Sequence, residues 1–165
     1  MKQLRIIPDK CTGCMQCELA CSWVQTGTFS PANSVIRVNL FDEQASYAPY
    51  TCTQCPEAYC MTACPVNAIA IAPHTGAKVV LEKTCVGCAV CVIACPFGTV
   101  FISPKTHKAF KCDLCGGDPA CAKACPTKAI EYVEQSGPDW FEGWSAKVSG
   151  HGNEAPRQPD GKGGH

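Results

Sequence analysis

Sixteen cysteines fall into four groups of four along this chain of 165 residues, and their spacing carries its chemistry. Cys85, Cys88, Cys91 and Cys95 form a complete C-x2-C-x2-C-x3-C-P run that ends at Pro96. Cys52, Cys55, Cys60 and Cys64 repeat it before Pro65, with four residues rather than two ahead of the third cysteine. Cys112, Cys115, Cys121 and Cys125 repeat it before Pro126, with five residues in that gap, where Gly116 and Gly117 absorb the excursion. Cys11, Cys14, Cys17 and Cys21 keep the spacing but lack the proline; Ser22 and Trp23 follow instead. Three thiolates on one tight loop, with a fourth just beyond, is the spacing that holds a [4Fe–4S] cluster. In two-cluster arrangements the fourth cysteine of each run reaches across to the other cluster.

Two other uses of cysteine compete with this one. A disulfide framework spreads its cysteines to staple distant loops, whereas repeated two-residue gaps gather thiolates around one centre. Zinc needs two C-x2-C knuckles per ion, and a third cysteine two residues on suits a cuboidal cluster better than a tetrahedral point. Rieske-type ligation requires histidine, and none lies inside any of the four sets.

The elements that must position the thiols are short. Residues 4–7 read as a strand leading into the first set, where Gly13 lets the loop bend until backbone N–H groups face the sulfurs. Residues 15–26 look helical, with Gly27 as C-cap. Trp23 would either shield a cluster from water or pack in the core. Residues 35–41 alternate like a half-buried strand, and residues 42–49 read as a polar loop in which Asp42 and Glu43 form a solvated turn. Residues 68–71 and 77–81 flank a turn at Pro73, His74, Thr75 and Gly76, with His74 on the surface. Residues 98–102 and 129–133 supply further strands.

Formal charge is zero, with 14 basic and 14 acidic residues, so no nucleic-acid or anionic-membrane footprint is present. The apolar stretches fall well short of the ~20 residues that a membrane span needs. The first residues show neither an apolar run nor a cleavage site, so no signal peptide is read there and a cytoplasmic location is expected. The 46% hydrophobic content includes the cysteines. The remaining aliphatic core is modest, and the clusters are expected to act as core, leaving the apo chain largely unfolded. With four thiolates on every cluster no iron is open to substrate, and neither a nucleotide loop nor a nucleophile–base pair is visible. The expected role is electron transfer without catalysis.

Residues 52–103 alone read as a small two-cluster ferredoxin. The first set then has a strand before it and the fourth set a strand after it; those strands can pair and close a second unit around the first. The expected fold is α+β, with two nested ferredoxin-like dicluster units around four [4Fe–4S] clusters. Residues 1–51 with 104–135 make the outer unit, 52–103 the inner one, and 136–165 an extended tail. Crossover then assigns Cys11, Cys14, Cys17 and Cys125 to one cluster, and Cys112, Cys115, Cys121 and Cys21 to a second. Cys52, Cys55, Cys60 and Cys95 hold a third, and Cys85, Cys88, Cys91 and Cys64 the fourth.

The framework over residues 4–135 resembles the four-cluster iron–sulfur subunits of multi-subunit oxidoreductases. The resemblance rests on Cys11-Thr-Gly-Cys14, on Cys17-Glu-Leu-Ala-Cys21-Ser22 with Phe29-Ser-Pro31 downstream, and on Lys111-Cys-Asp-Leu-Cys-Gly-Gly-Asp-Pro119. Such subunits accompany molybdenum- or tungsten-pterin enzymes such as formate dehydrogenases, dimethyl sulfoxide reductase and aldehyde oxidoreductases, and some hydrogenases. In size the chain is most similar to the small subunits of tungsten aldehyde oxidoreductases or of the tungsten-containing benzoyl-coenzyme A reductase. The resemblance implies the same nested pairing of sets, a larger catalytic partner, and a flavin subunit or ferredoxin as a further partner. A free-standing polyferredoxin, a subunit of a formate dehydrogenase or hydrogenase, and a structural zinc module are the competing readings.

The tail changes character. Trp140, Phe141 and Trp144 cluster together, and beyond Ser149 glycine, proline, histidine and charged residues dominate. Such a run cannot offset its own ordering entropy of ~1–2 kcal/mol per residue. The three aromatics are expected to anchor it on a partner, either the catalytic subunit or a second copy that lengthens the wire.

Overall fold

The computed structural model of the chain describes residues 1–41 and 46–134. Asp42 and Glu43, and the whole tail with Trp140, Phe141 and Trp144, lie outside the described residues. Along the chain come strand β1 (Lys2–Ile6), helix α1 (Gln16–Thr26), strands β2 (Arg37–Phe41) and β3 (Ser46–Tyr50), and helix α2 (Tyr59–Thr62). Then follow β4 (Ile69–Ile71), β5 (Lys78–Val80), α3 (Val90–Ala94), β6 (Val100–Ile102), β7 (Ala109–Lys111), α4 (Ala120–Ala124) and β8 (Ile130–Glu134). This is an α+β, ferredoxin-like fold.

The strands form four two-stranded antiparallel sheets, β1–β8, β2–β3, β4–β5 and β6–β7. β1 pairs with β8 from Lys2 opposite Glu134 to Ile6 opposite Ile130, so the strand before the first cysteine set meets the strand after the fourth. The β6–β7 hairpin closes through the Ser103 N–H on Lys108 O at 2.9 Å, and it therefore spans the expected unit boundary after residue 103.

Proline decides where the helices end. α3 and α4 stop immediately before Cys95-Pro96 and Cys125-Pro126, and α2 ends one residue short of Cys64-Pro65. The proline ring disfavours helical geometry in the residue before it and removes a donor. The first set has no such proline. Cys21 accordingly sits inside α1, which runs on to Thr26 and ends at Gly27, φ +70°, whose N–H bonds Trp23 O at 2.7 Å.

Two expectations are corrected. The polar loop of residues 42–49 is shorter than read, because Ser46–Tyr50 is strand β3, held against β2 with Ala48 and Pro49 buried. Trp23 does not enter the core; it is 51% exposed and stacks on Phe29 at 4.7 Å.

α1 is fastened to the β2–β3 hairpin by polar groups. Glu18 is buried, and its Oε1 accepts the Val38 N–H at 2.6 Å. Ser22, fully buried, donates to Leu19 O at 2.9 Å and accepts the Ser30 N–H at 3.1 Å. The larger buried cluster is made of Leu4, Val35, Ile36, Ala77, Leu114, Ala129 and Ile130 with Cys17, Cys21, Cys52, Cys112, Cys121 and Cys125. The thiols are therefore part of the core.

Candidate metal centres

The loops that carry the cysteines share one backbone device. The residue two after the first cysteine of each set has positive φ: Gly13 +70°, Gln54 +52°, Gly87 +72° and Leu114 +59°. Left-handed residues at that point turn successive peptide N–H groups toward a common centre, the concavity that suits an anionic cluster. Gly87 is the most constrained of them, since a Cβ there would stand 2.1 Å from the carbonyl oxygen of His107.

A second device follows the fourth cysteine. In Cys64-Pro65, Cys95-Pro96 and Cys125-Pro126 the residue three after the cysteine is again left-handed: Asn67 +50°, Gly98 +61° and Lys128 +55°. The chain then folds back on the sulfur. The N–H groups of Ala68 and Ala129 donate to Cys64 Sγ and Cys125 Sγ, both at 3.2 Å. Burial pushes the Cys95 thiol up, but the Thr99 hydroxyl and the N–H groups of Thr99, Phe97 and Gly98 outweigh it, and the net shift is down. Cys125 behaves alike: burial raises it, while Thr127 and the N–H groups of Ile130 and Ala129 bring it below its ordinary value. These donors favour the thiolate, the form that binds iron.

The cysteines meet across sets. Cys52, Cys55, Cys60 and Cys95 line one space of about 330 Å³ counting its open mouth, together with Gln54, Lys78, Thr99 and Lys111. Cys64, Cys85, Cys88 and Cys91 line another of about 320 Å³. Burial pushes the Cys17 thiol up to about 12, and after it act the charges of Glu18, Cys11 and Cys125. Burial likewise drives Cys121 well above its usual range, with Cys112, Cys21, Cys115 and Cys17 adding to it. Cys115 is raised by burial and also lies within reach of Cys21. Cys14 is exposed on the loop between Cys11 and Cys17.

Thiols of different groupings also act on one another. Burial raises Cys112 to about 12, and Cys52 acts on it from the next site. Cys91, raised first by burial, is acted on by Cys60 as well as by Cys85 and Cys88. Cys17 thus neighbours Cys121, Cys112 neighbours Cys52, and Cys60 neighbours Cys91. Cys14 and Cys88 are the two exposed thiols.

The donor set fits an iron–sulfur cluster. Among the described residues no three His, Cys, Asp or Glu side chains converge on a single-ion position. Eight of the thiols instead share two spaces, four to each, and N–H groups donate to Cys64 and Cys125. Sequence reasoning missed Gln54, Lys78 and Lys111 as lining residues, because they arrive from different strands and loops and share no local motif. Among the described residues no helix is long and apolar enough to cross a membrane.

Comparison with known proteins gives the family. The family described as "4Fe-4S dicluster domain" matches residues 43–135, and the "4Fe-4S binding domain" matches residues 4–22. The chain is 45% identical over 121 residues to the aliphatic sulfonate oxidoreductase, polyferredoxin-like subunit, of Pyrococcus furiosus, covering 73% of this chain and 69% of that one. It is 34% identical over 163 residues to formate hydrogenlyase subunit 2 of Escherichia coli, covering 76% and 78%. A chain of the BamBC active-site complex of benzoyl coenzyme A reductase is 25% identical, with TM-score 0.49 over 90% of this chain and 89% of that one. The protein belongs to the 4Fe-4S dicluster family of ferredoxin-type electron-transfer subunits of oxidoreductases.

Proposed function

We propose that the chain carries four [4Fe–4S] clusters and relays electrons between a larger catalytic subunit of the tungsten- or molybdenum-pterin type and a further redox partner. The observation behind this reading is that the fourth cysteine of one set joins the first three of another, Cys95 with Cys52, Cys55 and Cys60, and Cys64 with Cys85, Cys88 and Cys91. Cys11, Cys14, Cys17 and Cys125 hold the first cluster, and Cys112, Cys115, Cys121 and Cys21 the second. Cys52, Cys55, Cys60 and Cys95 hold the third, and Cys85, Cys88, Cys91 and Cys64 the fourth. Bound clusters supply one-electron transfer. The chain's own residues fix the thiolates, donate to their sulfurs and keep water from the inner pair. With every iron saturated by cysteine the chain itself turns over no substrate, and its proposed location is the cytoplasm.

The test is anaerobic purification of the native assembly. About sixteen irons and sixteen sulfides per chain are expected, together with a stoichiometric larger subunit. Aldehyde, formate or hydrogen oxidation by the chain alone would overturn the non-catalytic part. Recovery without any larger subunit would favour the free-standing polyferredoxin. The assembly role assigned to Trp140, Phe141 and Trp144 is read by deleting residues 137–165: iron content should persist while the complex weakens.

A further inference from the structure

Lys78 on β5 and Lys111 at the end of β7 are only 7% and 5% exposed. Their ammonium groups meet around Gln54, itself 2% exposed. Lys111 Nζ donates to the Lys78 carbonyl, to the Cys112 carbonyl at 3.1 Å and to Gln54 Oε1 at 3.5 Å. Lys78 Nζ donates to Gln54 O at 3.1 Å. The Gln54 side chain is fixed by its Nε2–H on Cys112 O at 2.7 Å and by the Lys78 N–H on its Oε1 at 2.8 Å. Carbonyl dipoles satisfy the hydrogen bonds, but they do not neutralise the charges. The ion pairs among the described residues join Met1 to Glu134, Lys10 to Glu131 and Lys123 to Asp118, and neither buried lysine takes part.

A buried charge left without a counter-charge costs several kcal/mol, and proteins rarely keep one, let alone two. The negative charge must come from something other than a carboxylate. Both lysines line the space enclosed by Cys52, Cys55, Cys60 and Cys95. Lys111 Nζ also reaches the next cysteine set, through its bond to the carbonyl of Cys112. Lys111 therefore touches both the space of Cys52, Cys55, Cys60 and Cys95 and the backbone of Cys112.

We infer that Lys78 and Lys111 are the counter-charges of the two inner clusters and raise their reduction potentials relative to what burial alone would impose. The inference rests on the ligand assignment proposed above. Gaining an electron makes a cluster more negative by one charge. A dry interior disfavours that form, and a nearby ammonium favours it. Without the lysines the two buried inner positions would be uphill steps between the exposed ends. With them the row is levelled, and electrons cross the middle.

The experiment uses the full holo chain under anaerobic conditions, with potentiometric titration followed by electron paramagnetic resonance. Cys60→Ser and Cys112→Ser variants identify which couples belong to the inner sites. In Lys111→Met and Lys78→Met the inner couples should move to lower potential. The ratio of reduced to oxidised cluster at fixed solution potential should fall at least tenfold, equal to 59 mV for a one-electron couple. The two outer couples should stay in place, and Lys111→Arg, which keeps the charge, should hold the inner couples near their original values. Unmoved potentials in the methionine variants would overturn the inference, as would an arginine variant shifted as far as methionine. If the methionine variants lose iron, restoration of both iron and potential by arginine supports the counter-charge role, and failure of arginine to restore them refutes it. A wild-type chain short of sixteen irons, or serine variants that map the couples to other cysteine groups, would defeat the ligand assignment instead.

Discussion

A methyl group at residue 87 would collide with backbone, not with a side chain that could swing away: its Cβ would lie 2.1 Å from His107 O. The same position holds φ +72°, which costs an L-residue roughly 1–2 kcal/mol before any clash. Gly87→Ala should therefore open the loop between Cys85 and Cys88. Iron should fall by about a quarter while the other sites stay loaded, as read by iron analysis and by loss of one couple in a redox titration. Full iron content in that variant would show that the loop tolerates the shift. At this scale the sequence was generous with ligands and silent about their surroundings. Sixteen cysteines announce themselves by spacing alone. Gln54 bonds Cys112 O across 58 residues and Lys111 bonds Lys78 O across 33, and no periodicity encodes such meetings.

The elements show where local rules suffice and where tertiary contacts override them. Proline placement correctly separates the three short helices from α1, and Gly27 ends α1 as its left-handed cap. Strand β3 escaped notice because serine and proline read as breakers. Pro49 lies opposite Val38 in a two-stranded ribbon, where a missing N–H does no harm, and burial of Ala48 and Pro49 outweighs the weak propensity. Trp23 was misjudged for a related reason: with no proline after Cys21 the helix continues and carries the ring outward onto Phe29. The link between α1 and this ribbon is the Glu18 carboxylate on the Val38 N–H at 2.6 Å. Glu18→Ala leaves that part-buried donor without its carboxylate, a loss on the order of 1 kcal/mol. The thermal midpoint of the holo protein should drop by several degrees, while the iron content of the loaded protein is retained. An unchanged midpoint would mean that the ribbon is held by its packing alone.

On the scale of the whole molecule the question is what replaces an ordinary hydrophobic interior. Pairing of β1 with β8 was legible from the leftover strands, because a strand with no local partner must find a distant one. The composition of the core was legible too, in that aliphatic residues were too few to build it. Six of the thirteen residues in the larger buried cluster are cysteines, and Cys60 and Cys91 lie within the smaller one. Cys52, Cys60 and Cys91 among them line the spaces shared by thiols of different sets. Four separate two-stranded ribbons cannot stand alone, since an isolated hairpin is at best marginal in water. Iron–sulfur ligation must then supply the cohesion, as structural metal does in small domains, where its binding free energy is on the order of 10 kcal/mol. Stripping the clusters with a chelator should abolish both the near-UV circular dichroism and the cooperative melt, and refolding should require iron and sulfide together. A chelated chain that kept a sharp transition would show that the ribbons and helices hold themselves, and that the clusters are guests rather than the core.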